Sequence, residues 1–127
     1  MTPDGVREWV MNISRPGGGW EMALTGDEQS WTASGPNAFQ ALRTLRADLD
    51  RAGVLIGLNG ARPNSWASGM QADMGEGKVV YLCEMGETGR PLSVGTLDAA
   101  PLDSVGTVAE QNEFNAAWLA SRTQGNA

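Results

Sequence analysis

The sequence predicts an α+β domain: an antiparallel or mixed sheet of about six strands, ordered β-β-β-α-β-β-β-α, with two helices packed on one face. Three observations predict it. Residues 6–33 alternate apolar and polar side chains in three short runs broken by turn residues, residues 38–52 repeat apolar side chains every three or four positions, and residues 54–122 supply further β-prone runs before a second helical stretch.

The first run, Val6 to Ser14, places Trp9, Met11 and Ile13 on one side and Glu8, Val10 and Asn12 on the other. Arg15-Pro16-Gly17-Gly18-Gly19 interrupts it, because proline fixes φ and glycine accepts the positive φ of a reversal. Trp20, Met22 and Leu24 resume the alternation, Gly26-Asp27 signals another turn, and Trp31 with Ala33 closes a β-meander. Trp9, Trp20 and Trp31 then share an apolar face, the natural floor for a helix.

That helix follows. Phe39, Leu42, Leu45, Leu49 and Ala52 form its apolar stripe, and Arg43, Arg46, Asp50 and Arg51 are assigned to other faces. Asn37 and Gln40 have the spacing of a capping box, and Gly53 suits the left-handed residue that ends a helix. Val54, Leu55, Ile56 and Leu58 are expected to form a central strand ending at Asn59-Gly60.

The segment from Ala61 to Lys78, about eighteen residues, is longer than compact domains usually leave without secondary structure, and a helical turn is expected within it around residues 68–74. Val79 to Met85 is apolar on both sides and belongs in mid-sheet, Gly86 to Pro91 is a hairpin loop, and Leu92, Val94 and Thr96 make a weaker strand nearer an edge. Thr107 and Glu110 open a second helix that turns Val108, Phe114, Ala117, Trp118 and Gln111 toward the core. The expected organisation is one domain over residues 1–122, with a flexible tail over 123–127.

Composition narrows the function. The chain has 127 residues, 41 % of them hydrophobic and 19 % charged, which suits one globular core. Nine basic and fifteen acidic residues give a formal charge of −6, with the acids dispersed. No basic face is available for phosphate contacts, so nucleic acid is not an expected partner, whereas a protein with a basic surface is. The N-terminal residues lack the apolar run of a signal peptide, and no stretch approaches a membrane span, so a cytoplasmic protein without membrane contact is expected. Eight of the nine basic residues are arginine, and glycine and alanine are abundant, as in bacterial proteins from GC-rich genomes.

Catalytic equipment is sparse. Histidine is absent, which removes Ser-His and Cys-His pairs and imidazole metal sites, and the one cysteine, Cys83, lies in an apolar strand where a small core residue is expected. No metal or other cofactor is expected. Asn59, Arg62, Asn64, Trp66 and Met70, by contrast, concentrate two amides, a guanidinium, an indole and a thioether within twelve residues. Side chains that combine apolar area with directed hydrogen bonds dominate protein interfaces, so a non-enzymatic interaction module, of the size and acidity of an immunity protein, inhibitor or chaperone, binding through residues 59–78, is the leading expectation. The alternative is a small-molecule site or minor enzyme with a pocket between the sheet and that segment, lined by Trp66, Met70 and Tyr81, with an acid or base drawn from Asp73, Glu76 or Glu84. The structural reading of the same residues has Trp66 plugging the core and Arg62 paired with a nearby acid such as Asp73.

Overall fold

The meander forms because its alternation is regular. In a computed structural model that describes residues 8–86 and 91–125, strands β1 (Val10–Ser14), β2 (Trp20–Gly26) and β3 (Gln29–Gly35) pair antiparallel in the order β1-β2-β3. The register sets Ile13, Met22 and Ala33 side by side, and beside them Met11, Leu24 and Trp31. Trp9 stacks on Trp31 with ring centroids 5.2 Å apart.

Helix α1 (Ala38–Arg51) covers β2 and β3. Asn37 caps it by accepting a 2.9 Å hydrogen bond from the Gln40 amide, and Gly53, at φ +73°, takes the left-handed conformation after its last turn. Leu42, Leu45 and Leu49 are fully buried with Trp20, Met22 and Leu24, and this cluster is the main core. Burying each large apolar side chain there contributes on the order of 2 kcal/mol.

The second half forms a separate three-stranded antiparallel sheet, β4 (Ser65–Trp66), β5 (Val79–Leu82) and β6 (Leu92–Gly95), with β5 in the middle. Phe39, the second residue of α1, leaves the main core and joins Ala67, Val80 and Trp66 in a second cluster under this sheet. Helix α1 thus belongs to both cores. The short helix α2 (Gly69–Asp73) lies between β4 and β5, and α3 (Val108–Gly125) closes the described chain.

The α+β class and the element order are those the sequence predicts, but the strands divide between two sheets, and the fourth strand lies elsewhere than expected. Val54 to Leu58 is extended and not a strand: Val54 N bonds back to Leu49 O, Leu58 N bonds to Ile56 O in a tight turn at Gly57, and only the Leu58–Ala99 bridge joins it to another segment. Its apolar side chains are satisfied by packing, with Val54, Ile56 and Leu58 against the main core, so β-propensity here reflects burial rather than pairing. Helix α3 continues to Gly125, and of its expected core residues Ala117 is exposed while Gln111 is wholly buried. Val6 and Arg7, most of the 86–91 hairpin loop, and Asn126 and Ala127 fall outside the described residues. Among the described residues no helix is long and apolar enough to cross a membrane.

The β2–β3 turn stores strain. Gly26 and Gln29 pair across a two-residue loop whose central residues, Asp27 (φ 52°) and Glu28 (φ 64°), are both left-handed without being glycine. This backbone suits the right-handed twist of the flanking strands but costs about 1–2 kcal/mol for each residue that carries a Cβ. Glu28→Gly produces the preferred Asp-Gly turn and is expected to raise stability by about 0.5–1 kcal/mol, since relief of strain outweighs the added freedom of the unfolded chain. A urea unfolding midpoint lower than that of the parent chain would contradict it.

Candidate functional site

Residues 59–78 contain little regular structure, yet polar contacts fasten them along their length. At the start stands Gly60, where any Cβ would lie 2.7 Å from both Leu42 Cδ2 and Thr96 Cγ2. Only glycine lets the backbone come this close to α1. Gly60 N donates to Thr96 O (2.9 Å), Asn59 N to Asp98 O (2.9 Å), and Asn59 Nδ2 to Gly95 O (3.1 Å). Asn59 is accordingly buried and ties the segment to the end of β6.

The next turns wrap around Gln111. Its Nε2 lies within hydrogen-bond reach of Gly60 O (3.0 Å), Arg62 O (3.1 Å), Ser65 O (3.0 Å) and Ser65 Oγ (2.9 Å), and its Oε1 accepts from Arg46 Nη1 at 2.8 Å and from Arg43 Nη1. Arg46 is 2 % exposed. Besides Gln111 it donates to Gly60 O (3.2 Å), Ala61 O (3.4 Å) and Gly106 O (3.0 Å). Desolvation draws its pKa down to about 10, against the attraction of Asp50, so the guanidinium remains charged at neutral pH. Asp50, one turn further along α1, accepts from Val108 N at 2.9 Å and so holds the first turn of α3.

The placement of Arg46 corrects the sequence reading, which assigned it to an outer face. Its position, four residues after Leu42 and three before Leu49, is on the buried stripe of α1, and its charge is accommodated there by carbonyls that have no other role in a sheet or helix. Gln111 was among the residues turned toward the core; its function as the acceptor and donor at the centre of the network was not foreseen.

Trp66 is half-buried, edge-on to Phe39 (centroids 5.4 Å, 73°), with the Arg43 guanidinium 4.7 Å above its ring. Arg43 also donates to Asn112 Oδ1 at 2.5 Å, so one side chain links α1, β4 and α3. Asn64 contributes its carbonyl to Cys83 N (2.7 Å), and Cys83 itself is buried. Arg62 is half-buried, and its Nε is enclosed without a hydrogen-bond partner among the described residues; no ion pair with Asp73 forms.

Helix α2 begins with a full capping box, Ser68 Oγ accepting from Gln71 N (3.1 Å) and Gln71 Oε1 from Ser68 N (2.9 Å). Its outer side carries Met70 and Met74, 71 % and 80 % exposed. The segment ends at Glu76, another left-handed residue (φ 56°), whose carbonyl accepts from Ala38 N (2.8 Å) and whose carboxylate pairs with Arg15 and, at 3.4 Å, with Lys78. Hydrogen bonds from Arg15 and then Lys78 hold that carboxyl below its ordinary range. Of the five residues singled out in the sequence, Asn59 is tied to the end of β6, Arg62 gives its carbonyl to Gln111 and Asn64 gives its carbonyl to Cys83, while Trp66 packs on Phe39 and Met70 faces solvent. Met74, one helical turn beyond Met70, was missed; the signal was the four-residue spacing within Gly69-Met70-Gln71-Ala72-Asp73-Met74.

A groove lined by Trp9, Met11, Leu24 and residues 54–58 lies elsewhere. Among the described residues no group of three or more metal-ligating side chains comes together. Compared with protein-family models and with curated proteins, the chain matches neither a family nor a relative.

Replacing Gln111 with leucine removes the acceptor shared by Arg43 and Arg46 and the amide donor within reach of Gly60 O, Arg62 O and Ser65. A loss of about 2–4 kcal/mol is expected, the range for breaking a buried charge-assisted network. Glu113→Ala, two residues on and on the exposed side, should stay within about 0.5 kcal/mol of the parent. Urea unfolding checks both, and equal stability of the two variants would mean that the network does not hold α3.

Proposed function

We propose that the chain is a non-enzymatic protein-interaction module that contacts its partner through the 59–78 segment. The observation that carries this reading is the exposure of Met70 and Met74 on a helix capped at its start by Ser68 and fixed beyond its end by Glu76. Exposed methionine is adaptable and polarizable, and recurs on surfaces that bind other proteins.

The partner suited to this surface is a protein with an apolar patch on a basic background, because the chain carries −6 overall and a basic partner is drawn to it over distance. Trp66 acts beneath the surface: Arg43 and Phe39 hold it, and it sets the orientation of the chain entering α2. The carboxylates considered for acid–base work offer less. Glu76 is engaged with two cations, and it does not line the groove beside β1.

Affinity capture with the purified chain tests the proposal. The Met70→Glu, Met74→Glu double variant keeps its fold, because both side chains are exposed. The parent chain is expected to retain one stoichiometric protein, and the variant to bind it at least about tenfold more weakly, the effect of losing a modest interface hot spot. Undiminished binding by the double variant would remove the 59–78 segment from the interface.

A further inference from the structure

We propose that Met70 and Met74 form a binding site for a soft, closed-shell monovalent cation, copper(I), held between their two thioether sulfurs. The site shares both residues with the proposed interface, but it rests on their donor chemistry and not on the partner reading.

Methionine usually serves to fill irregular gaps in a core. Met22 does so here, fully buried among the side chains of the main core. Met70 and Met74 are both turned out to solvent instead. Met74 N donates to Met70 O at 2.8 Å, so the two residues stand one α-helical turn apart. The bonds from Ala72 N to Ser68 O (2.9 Å) and from Gly77 N to Gln71 O (2.8 Å) hold the same turns from either side. Residues four apart on a helix share a face, with Cβ atoms about 5–6 Å from each other. The unbranched methionine side chain has three rotatable bonds, so both sulfurs can meet at a point above the helix while the backbone stays where its hydrogen bonds hold it.

The donors select the ion. A thioether is soft and uncharged; it offers little to magnesium, calcium or zinc, whereas copper(I) takes such ligands, and two of them in line satisfy a closed-shell monovalent ion. Histidine, cysteine and carboxylate side chains gather into no group of three among the described residues, so a harder ion has no comparable set of donors there. Asp73, exposed and next to Met74, adds negative charge beside the pair and forms no ion pair among the described residues. The one thiol, Cys83, is a stronger soft donor but is buried. Met85 is exposed, yet no methionine lies three or four residues from it. It is the internal control for a lone thioether.

Silver(I), a closed-shell ion that is stable in air, is the probe. Silver nitrate is titrated into the full chain in chloride-free buffer and followed by NMR of the methionine methyl groups. The Met70 and Met74 methyl resonances are expected to shift together and saturate at one ion per chain, while those of Met22 and Met85 stay in place. Zinc sulfate should shift none of them. Met70→Leu and Met74→Leu keep the volume and the apolar face but each remove one sulfur, and each should weaken silver(I) binding at least about tenfold. Cys83→Ala should leave the affinity unchanged, and copper(I), added without oxygen, should displace silver(I) from the pair. Four results overturn the proposal: no saturable shift, unchanged affinity in either leucine variant, which would make silver(I) a ligand of single exposed thioethers only, uptake that disappears in Cys83→Ala, or copper(I) that does not compete. Leucine preserves the apolar face that the glutamate double variant removes, so failure to bind the ion and failure to hold a protein partner are read separately.

Discussion

A guanidinium without a carboxylate partner sits where the two halves of this chain meet, and the arrangement of the chain around it follows from the cost of burying that charge. Taking an ion out of water costs several kcal/mol even after the protein relaxes. Arg46 offsets this with bonds to neutral oxygens alone: three backbone carbonyls and the amide oxygen of Gln111. Each of those oxygens must be brought to a helix interior from another segment. The carbonyls of Gly60 and Ala61 fix the entry to the 59–78 segment, that of Gly106 fixes the approach to α3, and Gln111 fixes α3 itself. A carboxylate in place of Gln111 would neutralise the charge but could not donate to Ser65, Arg62 and Gly60. The neutral amide fits because it accepts from two arginines while donating to the turns.

This explains how a helix with little amphipathic character stays on the body of the protein. Helix α3 exposes most of its length, and its fully buried side chain is polar. Its attachment therefore depends on direction rather than apolar area: Gln111 at one point, the Asp50 cap on Val108 N, and Arg43 reaching Asn112. Hydrogen bonds of this kind have narrow geometric tolerance, whereas apolar faces slide. On α1, Arg43 also lies over Trp66 and Arg46 holds the turn at residues 60 and 61, so the second sheet and α3 are registered against a single helix.

Much of the fold was legible because it rests on periodicity. The alternation from Trp9 to Ala33 and the Phe39 to Leu49 stripe give β1 to β3 and α1, and the Asn37, Ser68 and Thr107 caps are where the short-range hydrogen-bonding rules put them. Val54 to Leu58 misled because an apolar β-prone run says that side chains are buried and not that the backbone pairs. Arg46 misled in the opposite way: its spacing fitted the core and its side chain did not, and no local rule says that carbonyls from residues 60, 61 and 106 will gather around it. The site was legible in the same uneven manner. Composition drew attention to Trp66, which packs inward, and passed over Met74, whose exposure depends on how α2 is turned. Orientation of that kind is set by distant contacts such as the Glu76 pair with Arg15.

An exposed apolar residue on a loose loop carries little information, because the loop can turn it inward at small cost. Met70 and Met74 differ in this respect. The helix that presents them is capped by Ser68 and Gln71, follows a tryptophan held between Phe39 and Arg43, and precedes a left-handed residue engaged by a backbone bond and two cations. With both approaches fixed, turning the methionines inward would require breaking several of those contacts, each of about 0.5–1.5 kcal/mol. Their position in solvent is therefore imposed by the fold. The contacts that hold the 59–78 segment in place are the same ones that keep its apolar side outward.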